Sequence, residues 1–257
     1  MNRSFSPIAE LEITDLIKRD LKRSPLHRLI TRLRPDLEKN LLQRVIDGYA
    51  GQTLFSVSGH DGTGFLVAEQ KSMESKMFEH KMGAITAILS DTYKPSVVNG
   101  LLDQLMHWIQ ETGLEFISYR TGDIAGTIEL KTVVERLLHK RGFYPIETYL
   151  TFVHNLSGAL LPPLEEEGVC TCALNADTPQ SDSTIARIKD IARRSFSLGR
   201  FHLDPYFNSH LADQSRVAWT TSIIRGHGKL IYSLDNESGK ITGFLGYQPS
   251  WDVTGHL

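Results

Sequence analysis

The chain has 257 residues, 40% of them hydrophobic and 23% charged, the profile of a globular protein with room for two modest domains. Its 28 Lys and Arg against 30 Asp and Glu leave a net charge of −2, which gives no electrostatic reason to expect nucleic acid or an anionic membrane as partner. It holds no run of about 18 apolar residues, and MNRSFSPIAELEITD lacks the apolar centre of a secretory signal, so a cytoplasmic, non-membrane protein is expected.

In chain order, Ile8, Leu11, Leu16, Ile17 and Leu21 fall near helical spacing and predict a helix over 8–20. Ser24-Pro25 restarts the chain, because proline is favoured at the first helical position, and Leu26, Leu29, Ile30 and Leu33 continue an apolar face. Pro35 opens a further helix through Leu37, Leu41, Leu42, Val45 and Ile46 that stops at Gly48. The basic residues here, Arg19, Lys22, Arg23, Arg28, Arg32 and Arg34, are interspersed with acids and read as solvated helix surface.

Residues 53–57 and 64–68 predict two strands around Ser58-Gly59-His60-Asp61-Gly62. That turn has neither the following helix nor the lysine of a phosphate loop, so a hairpin is the better reading. A polar run at 71–76 leads to a strand with Met82, Ala84, Thr86 and Ile88 on one side. Residues 95–111 form the clearest helix: Val98, Leu101, Leu102, Leu105, Trp108 and Ile109 make one stripe, ended by Gly113. A strand at 114–119, a helix at 129–140 ending in Arg141-Gly142, and a strand region at 143–152 follow. Glu79-His80 would lie on opposite faces of a strand, so surface placement is expected rather than a catalytic pair.

The stretch NLSGALLPPLEEE shifts toward Pro, Gly and acids and marks a linker, placed at 156–168 between domains at 1–155 and 169–257. A strand at 169–174, a polar turn at 177–182 and a helix at 184–196 open the second domain. Cys170 and Cys172 alternate along that strand and share a face, too strained for an ordinary mutual disulfide. Lacking further cysteines to complete a metal site, they read as small reduced residues, and no metal is expected. Beyond an aromatic loop, a helix runs from Ser209 toward Arg225 and Gly226, and strands at 230–234 and 241–247 flank Asp235-Asn236-Glu237-Ser238-Gly239, a hairpin turn.

The two hairpins repeat one pattern. TLFSVSGHDGTGFLVAEQ and KLIYSLDNESGKITGFLGYQ each carry a strand, a Gly/Asp/Ser turn and a Gly-Phe-Leu strand ending in Gln, with Gly64-Phe65-Leu66 matching Gly243-Phe244-Leu245. Paired helices ending in a glycine precede each. Two copies of one α/β unit are expected, the second cut short at its C-terminus.

The aromatic loop is the densest in ligand-type groups. Arg200 suits bidentate pairing with a phosphate or carboxylate, Phe201 or Tyr206 suits stacking on a sugar or base, and Asp204 completes the set. The competing assignment makes Phe201, Tyr206 and Phe207 core plugs, Arg200 a surface ion pair and Asp204 a turn residue before Pro205. His202, His210 and His227 have no companion nearby in sequence and read as exposed loop residues.

The order helix, helix, strand, hairpin, strand, long helix, strand, helix, strand resembles the GNAT N-acetyltransferase superfamily, twice over. The second copy more specifically resembles the TDP-fucosamine (dTDP-4-amino-4,6-dideoxygalactose) N-acetyltransferase group. The patches that carry this are Ser195-Phe196, Arg200-Phe201 with Asp204-Pro205, Trp219 leading to Arg225-Gly226, and Ser75-Lys76-Met77-Phe78 leading to Met82-Gly83. The resemblance implies tandem units with a mixed, mostly antiparallel sheet flanked by helices. It implies acetyl-CoA as co-substrate, a small-molecule primary amine as acceptor, and an acceptor site at Arg200, Phe201, Asp204 and Tyr206. Members hold the acetyl-CoA pyrophosphate at a glycine-rich turn, but SDTYKPSVVNG has one late glycine and Pro95 removes a donor. The expectation is therefore an N-acetyltransferase whose chain is a C-terminally truncated fragment. The alternative is a non-catalytic ligand-binding or interaction module, whose open sheet edge a partner, including a second copy in a homodimer, would cover.

Overall fold

The computed structural model describes residues 7–23, 38–49, 51–92, 94–121, 128–148, 169–174 and 181–247. They form an α/β architecture with a mixed four-stranded sheet and a second, three-stranded one. Two compact units divide between Pro145 and Ile146. The expected linker at 156–168 and the restarted helix at 24–33 lie outside the described residues.

In the first unit, α1 (Pro7–Arg23) and α2 (Glu38–Tyr49) precede the hairpin β1 (Thr53–Gly59) and β2 (Gly62–Gln70). A one-residue advance from Val67↔Ala87 to Ala68↔Ile85 leaves Thr86 of β3 (Met82–Ser90) without an opposite number, a β-bulge. Thr86 is exposed there and its hydroxyl donates to Gln52 Oε1 at 2.6 Å. β2 is covered on both faces, which is why its centre is continuously apolar rather than alternating. Leu66, Ala68, Ile85 and Ile88 pack against Val98, Leu101, Leu102 and Leu105 of α4 (Pro95–Thr112) and Leu130, Val134, Leu137 and Leu138 of α5 (Ile128–His139). Phe65, Val67, Ala87 and Leu89 meet Ile13, Leu16, Ile17 and Leu21 of α1, with Tyr49 of α2. Each fully buried Leu, Ile or Phe side chain contributes about 1.5–3 kcal/mol, so these layers dominate the stability of the unit.

The α4 helix closes as its glycine requires: Gly113 at φ +65° gives its N–H to Gln110 O, and Leu114 N–H reaches Ile109 O at 3.1 Å. β4 (Phe116–Tyr119) then runs parallel to β3, pairing with Met82, Gly83, Ala84 and Ile85. Two local expectations change. The polar run after β2 folds as a short helix, α3 (Ser72–Phe78), with Phe78 buried beneath it. The strand expected from residue 143 does not form over 143–148, where Pro145 has no N–H to give a ladder, and the rest of that stretch lies outside the described residues.

In the second unit, β5 (Val169–Leu174) pairs antiparallel with β6 (Lys229–Asp235), which pairs antiparallel with β7 (Ile241–Tyr247). Cys170 and Cys172 stand opposite Leu234 and Tyr232, and Cys172 is a free thiol. α6 (Asp182–Ser195) is capped by Ser181, whose Oγ accepts Thr184 N–H at 3.2 Å. Its Ile188 and Ile191 join Leu174, Ile223, Leu230 and Ile241 in one core cluster. α7 (Arg200–Leu203) is a single turn where an irregular loop is expected from sequence, and α8 (Ser209–Ser222) runs into a π-turn, Ile223–His227, broken at Gly226 with φ +102°. The two Gly-Phe-Leu strands thus have different surroundings. Phe65 and Leu66 are buried in a central strand, while Leu245 lies 58% exposed on β7, an edge among the described strands.

No helix among the described residues is long and apolar enough to cross a membrane, and none of their His, Cys, Asp and Glu side chains gather in threes as a metal site would need.

Candidate functional site

The four residues singled out from sequence do come together around α7, in a polar and aromatic turn rather than a cavity. Gly199 starts it, accepting His202 N–H at 2.8 Å and Leu203 N–H at 3.1 Å. With no Cβ, Gly199 leaves room for the Arg216 guanidinium of α8, whose carbon sits 5.3 Å from the Phe196 ring centroid. Arg200 donates its backbone N–H to Glu147 Oε2 at 3.1 Å, and its guanidinium lies 4.4 Å over the Phe201 ring. Phe201 in turn meets Phe207 edge-on at 5.2 Å. Asp204 Oδ1 accepts Tyr206 N–H at 3.1 Å, the local side-chain turn that an Asp before Pro favours. Tyr206 is 67% exposed and so is no core plug, whereas Phe201 and Phe207 are half-buried. The turn therefore presents a cation stacked on an aromatic ring beside an exposed phenol, groups that suit an anionic or sugar-bearing ligand.

The histidines divide against expectation. His210 and His227 are exposed, but the His202 side chain is only 8% exposed, with Nε2 2.9 Å from Asp213 Oδ1. The companion stands eleven positions away on the next helix, a separation that no local motif advertises.

In the first unit, the position where phosphate cradling was doubtful from sequence is the N-terminus of α4. An internal carboxylate stands beside it. Asp61, at the β1–β2 tip, accepts Lys94 Nζ at 2.9 Å and Ser96 Oγ at 2.7 Å. The Lys94 bond, with that of Ser96, holds the Asp61 carboxyl below its ordinary value. Around it, Thr92 Oγ1 donates to Asp61 O at 3.0 Å and Thr63 N–H to Asp91 Oδ1 at 2.8 Å. Gly62, at φ +129°, is the residue that lets Asp91 and Thr92 close in. A shallow cavity of about 250 Å³ remains beside it, lined by Val57, Gly59, His60, Asp61, Gly62, Ser96 and Val97. The Asp61 carboxylate takes up the Lys94 ammonium and the Ser96 hydroxyl, two groups that a phosphate at this terminus would otherwise draw on.

β3 offers a second feature. Among the described residues β4 pairs with it only as far as Ile85, and the Arg19 guanidinium donates to Ser90 O, so residues 86–89 keep an open hydrogen-bonding edge just past the bulge. An edge of this kind accepts an extended, amide-bearing group by main-chain hydrogen bonds.

The architecture defines an α/β protein with a mixed sheet in one unit and a smaller antiparallel sheet in the other. No family model matches the chain, and no curated protein does. A solved structure that resembles part of it is a mutant of TTHA1254 from Thermus thermophilus, at 14% identity and a TM-score of 0.28 over 40% of this chain and 70% of that one. A likeness so slight carries no argument about fold or activity.

Proposed function

We propose that the protein is a GNAT-type N-acetyltransferase built from tandem units, transferring an acetyl group from acetyl-CoA to a primary amine of the kind borne by a nucleotide-linked amino sugar. The observation that carries this reading is the pairing of β3 with β4: parallel strands joined through α4, in contact for four residues and then parting at the Thr86 bulge. Support also comes from the second unit, where helices α6 and α8 again lead into a Gly-Phe-Leu hairpin, with Arg200, Phe201, Asp204 and Tyr206 gathered between them as the acceptor-side residues. The first unit serves as a scaffold in this reading, because Asp61 sets a carboxylate against Lys94 and Ser96 at the helix terminus that an acetyl-CoA pyrophosphate would need.

That same contact favours a second reading, a non-catalytic module that keeps the fold for ligand or protein binding. One experiment separates them. The protein is incubated with acetyl-CoA and a panel of primary amines that includes nucleotide-linked amino sugars, and free thiol release and amine acetylation are followed by absorbance and mass spectrometry. Acetyl transfer whose acceptor KM rises in Arg200→Ala supports the transferase and its site. Transfer with KM and kcat unchanged in Arg200→Ala removes Arg200 from the acceptor site. Absence of transfer, together with no acetyl-CoA binding by calorimetry, leaves the module reading.

A further inference from the structure

Among the described residues β7 is an outer strand of the second sheet, and its counterpart in the first unit shows what that edge ordinarily takes. β2, which carries Gly64-Phe65-Leu66, has β1 on one side and a second antiparallel neighbour, β3, on the other, with Phe65 opposite Leu89 and Leu66 opposite Ile88. β7, which carries Gly243-Phe244-Leu245, pairs with β6 alone. Its other side offers a row of N–H and C=O groups to a further strand. The core is open at the same place. Phe244 packs on the second-unit core and meets Phe196 edge-on at 6.3 Å, a Cβ on Gly246 would stand 3.2 Å from the Trp219 ring, and both Phe196 and Trp219 are exposed. On the opposite face of the strand, Leu245 and Tyr247 are exposed as well.

The character of β7 selects the partner. ITGFLGY has neither a charged residue nor a proline, the usual guards of a sheet edge. Its irregularity is a bulge at Thr242, left over where pairing steps from Ser233↔Gly243 to Leu234↔Ile241, so the regular stretch is 243–247. On β1, by contrast, an outer strand of the first sheet, Gln104 Nε2 donates to Ser56 O at 2.9 Å. A two-fold axis sets a strand antiparallel to its own copy, the sense in which β3 meets β2. Centred on Leu245, such a pair places Gly243 opposite Tyr247 and Phe244 opposite Gly246, so each glycine of one copy receives an aromatic ring of the other. Leu245 then meets its own copy on one face, and on the other Phe244 comes against the Gly246 beside which Trp219 already lies. We propose that β7 is a homodimerisation edge: two copies of the chain pair antiparallel through 243–247, joining their three-stranded sheets into one and closing the Phe196 and Trp219 end of each core. An apolar peptide of another protein would use the same edge, but it leaves the chain by itself monomeric.

Sedimentation of the full chain tests this without any ligand, so the outcome is independent of whether the protein transfers acetyl groups. A ladder of 243–247 alone makes a small interface, so assembly should fall in the micromolar range. The weight-average mass should climb from 28.9 kDa toward twice that value between about 1 and 200 μM chain. Leu245→Lys sets two ammonium groups against each other at the axis and should raise the dissociation constant by about tenfold or more. Met73→Lys, which alters a similarly exposed apolar side chain on α3 of the first unit, should leave it unchanged. A mass that stays at 28.9 kDa throughout, or a dimer that Leu245→Lys does not weaken, overturns the proposal. Should Leu245→Lys fail to fold, hydrogen exchange of the wild type decides. Protection of the 243–247 amides that rises with chain concentration over the same range, while that of β2 stays constant, supports the edge; protection of 243–247 that ignores concentration overturns it.

Discussion

The two Gly-Phe-Leu triplets invite a matched pair of substitutions, Gly64→Ala and Gly243→Ala. A Cβ on Gly64 would stand 2.7 Å from Val97 Cγ1, 3.0 Å from Leu101 Cδ1 and 3.2 Å from the Leu89 carbonyl. All three belong to buried residues of α4 or β3, so none can swing into solvent. Overpacking of this kind costs about 1–3 kcal/mol, against a gain of about 0.5–1 kcal/mol from replacing a strand glycine. The net for Gly64→Ala is a loss of about 1–2 kcal/mol, roughly a 5- to 30-fold rise in local opening. On Gly243 the Cβ would meet only the Ser233 hydroxyl, at 3.3 Å. The strand-glycine gain then stands nearly alone, and Gly243→Ala should be neutral or stabilising by up to about 1 kcal/mol. Native-state hydrogen exchange of β2 and β7 amides, measured in the full chain, reads both. Unchanged β2 protection in Gly64→Ala, or an equal loss in β7 for Gly243→Ala, would refute the claim that α4 seats on β2 while the matching position in the second unit lies open.

Asp61 provides a pH test. Its carboxyl is held below the ordinary 3.8 by Lys94 and Ser96, so its contribution to stability is fully present above that ordinary value and is lost as pH falls through the lower, folded-state one. Denaturant midpoints measured downward from pH 5 should therefore decline less steeply for Asp61→Asn than for the wild type, and parallel curves would count against the contact. Ser181→Ala removes the cap that accepts Thr184 N–H and should cost about 0.5–2 kcal/mol, seen as faster amide exchange over the first turn of α6.

Periodicity made the helices readable. Val98, Leu101, Leu102 and Leu105 are all buried, as a 3.6-residue stripe demands, and β7 keeps its expected bounds because Gly239 and Ile241 mark turn and strand plainly. The signals that failed were those set by partners distant in sequence. SMESKMF looks like a polar connection until Phe78 finds a core to enter. Asp61 meets Lys94 and Ser96 across more than 30 residues, and only the fold brings the hairpin tip to the helix. His202 reads as an exposed loop histidine because Asp213 lies on another helix. At the candidate site, Arg200, Phe201, Asp204 and Tyr206 were found by chemical type alone. Their arrangement, a guanidinium laid on its own neighbouring ring, was not deducible from order in the chain.

The bulge in β3 has a consequence for how this strand tolerates length change. A strand is read in a frame of two, and Thr86 is the letter that belongs to neither face. Ile85 and Ile88 enter one core while Ala87 and Leu89 enter the other, an order that becomes strict alternation once Thr86 is skipped. Deleting Thr86 would keep every later residue facing its present layer, at the loss of one hydroxyl contact to Gln52. Deleting Ile85 or Ala87 instead would draw the Thr86 hydroxyl into a core that has no partner for it. In a strand buried on both sides, length can vary at this one position without the two cores changing places.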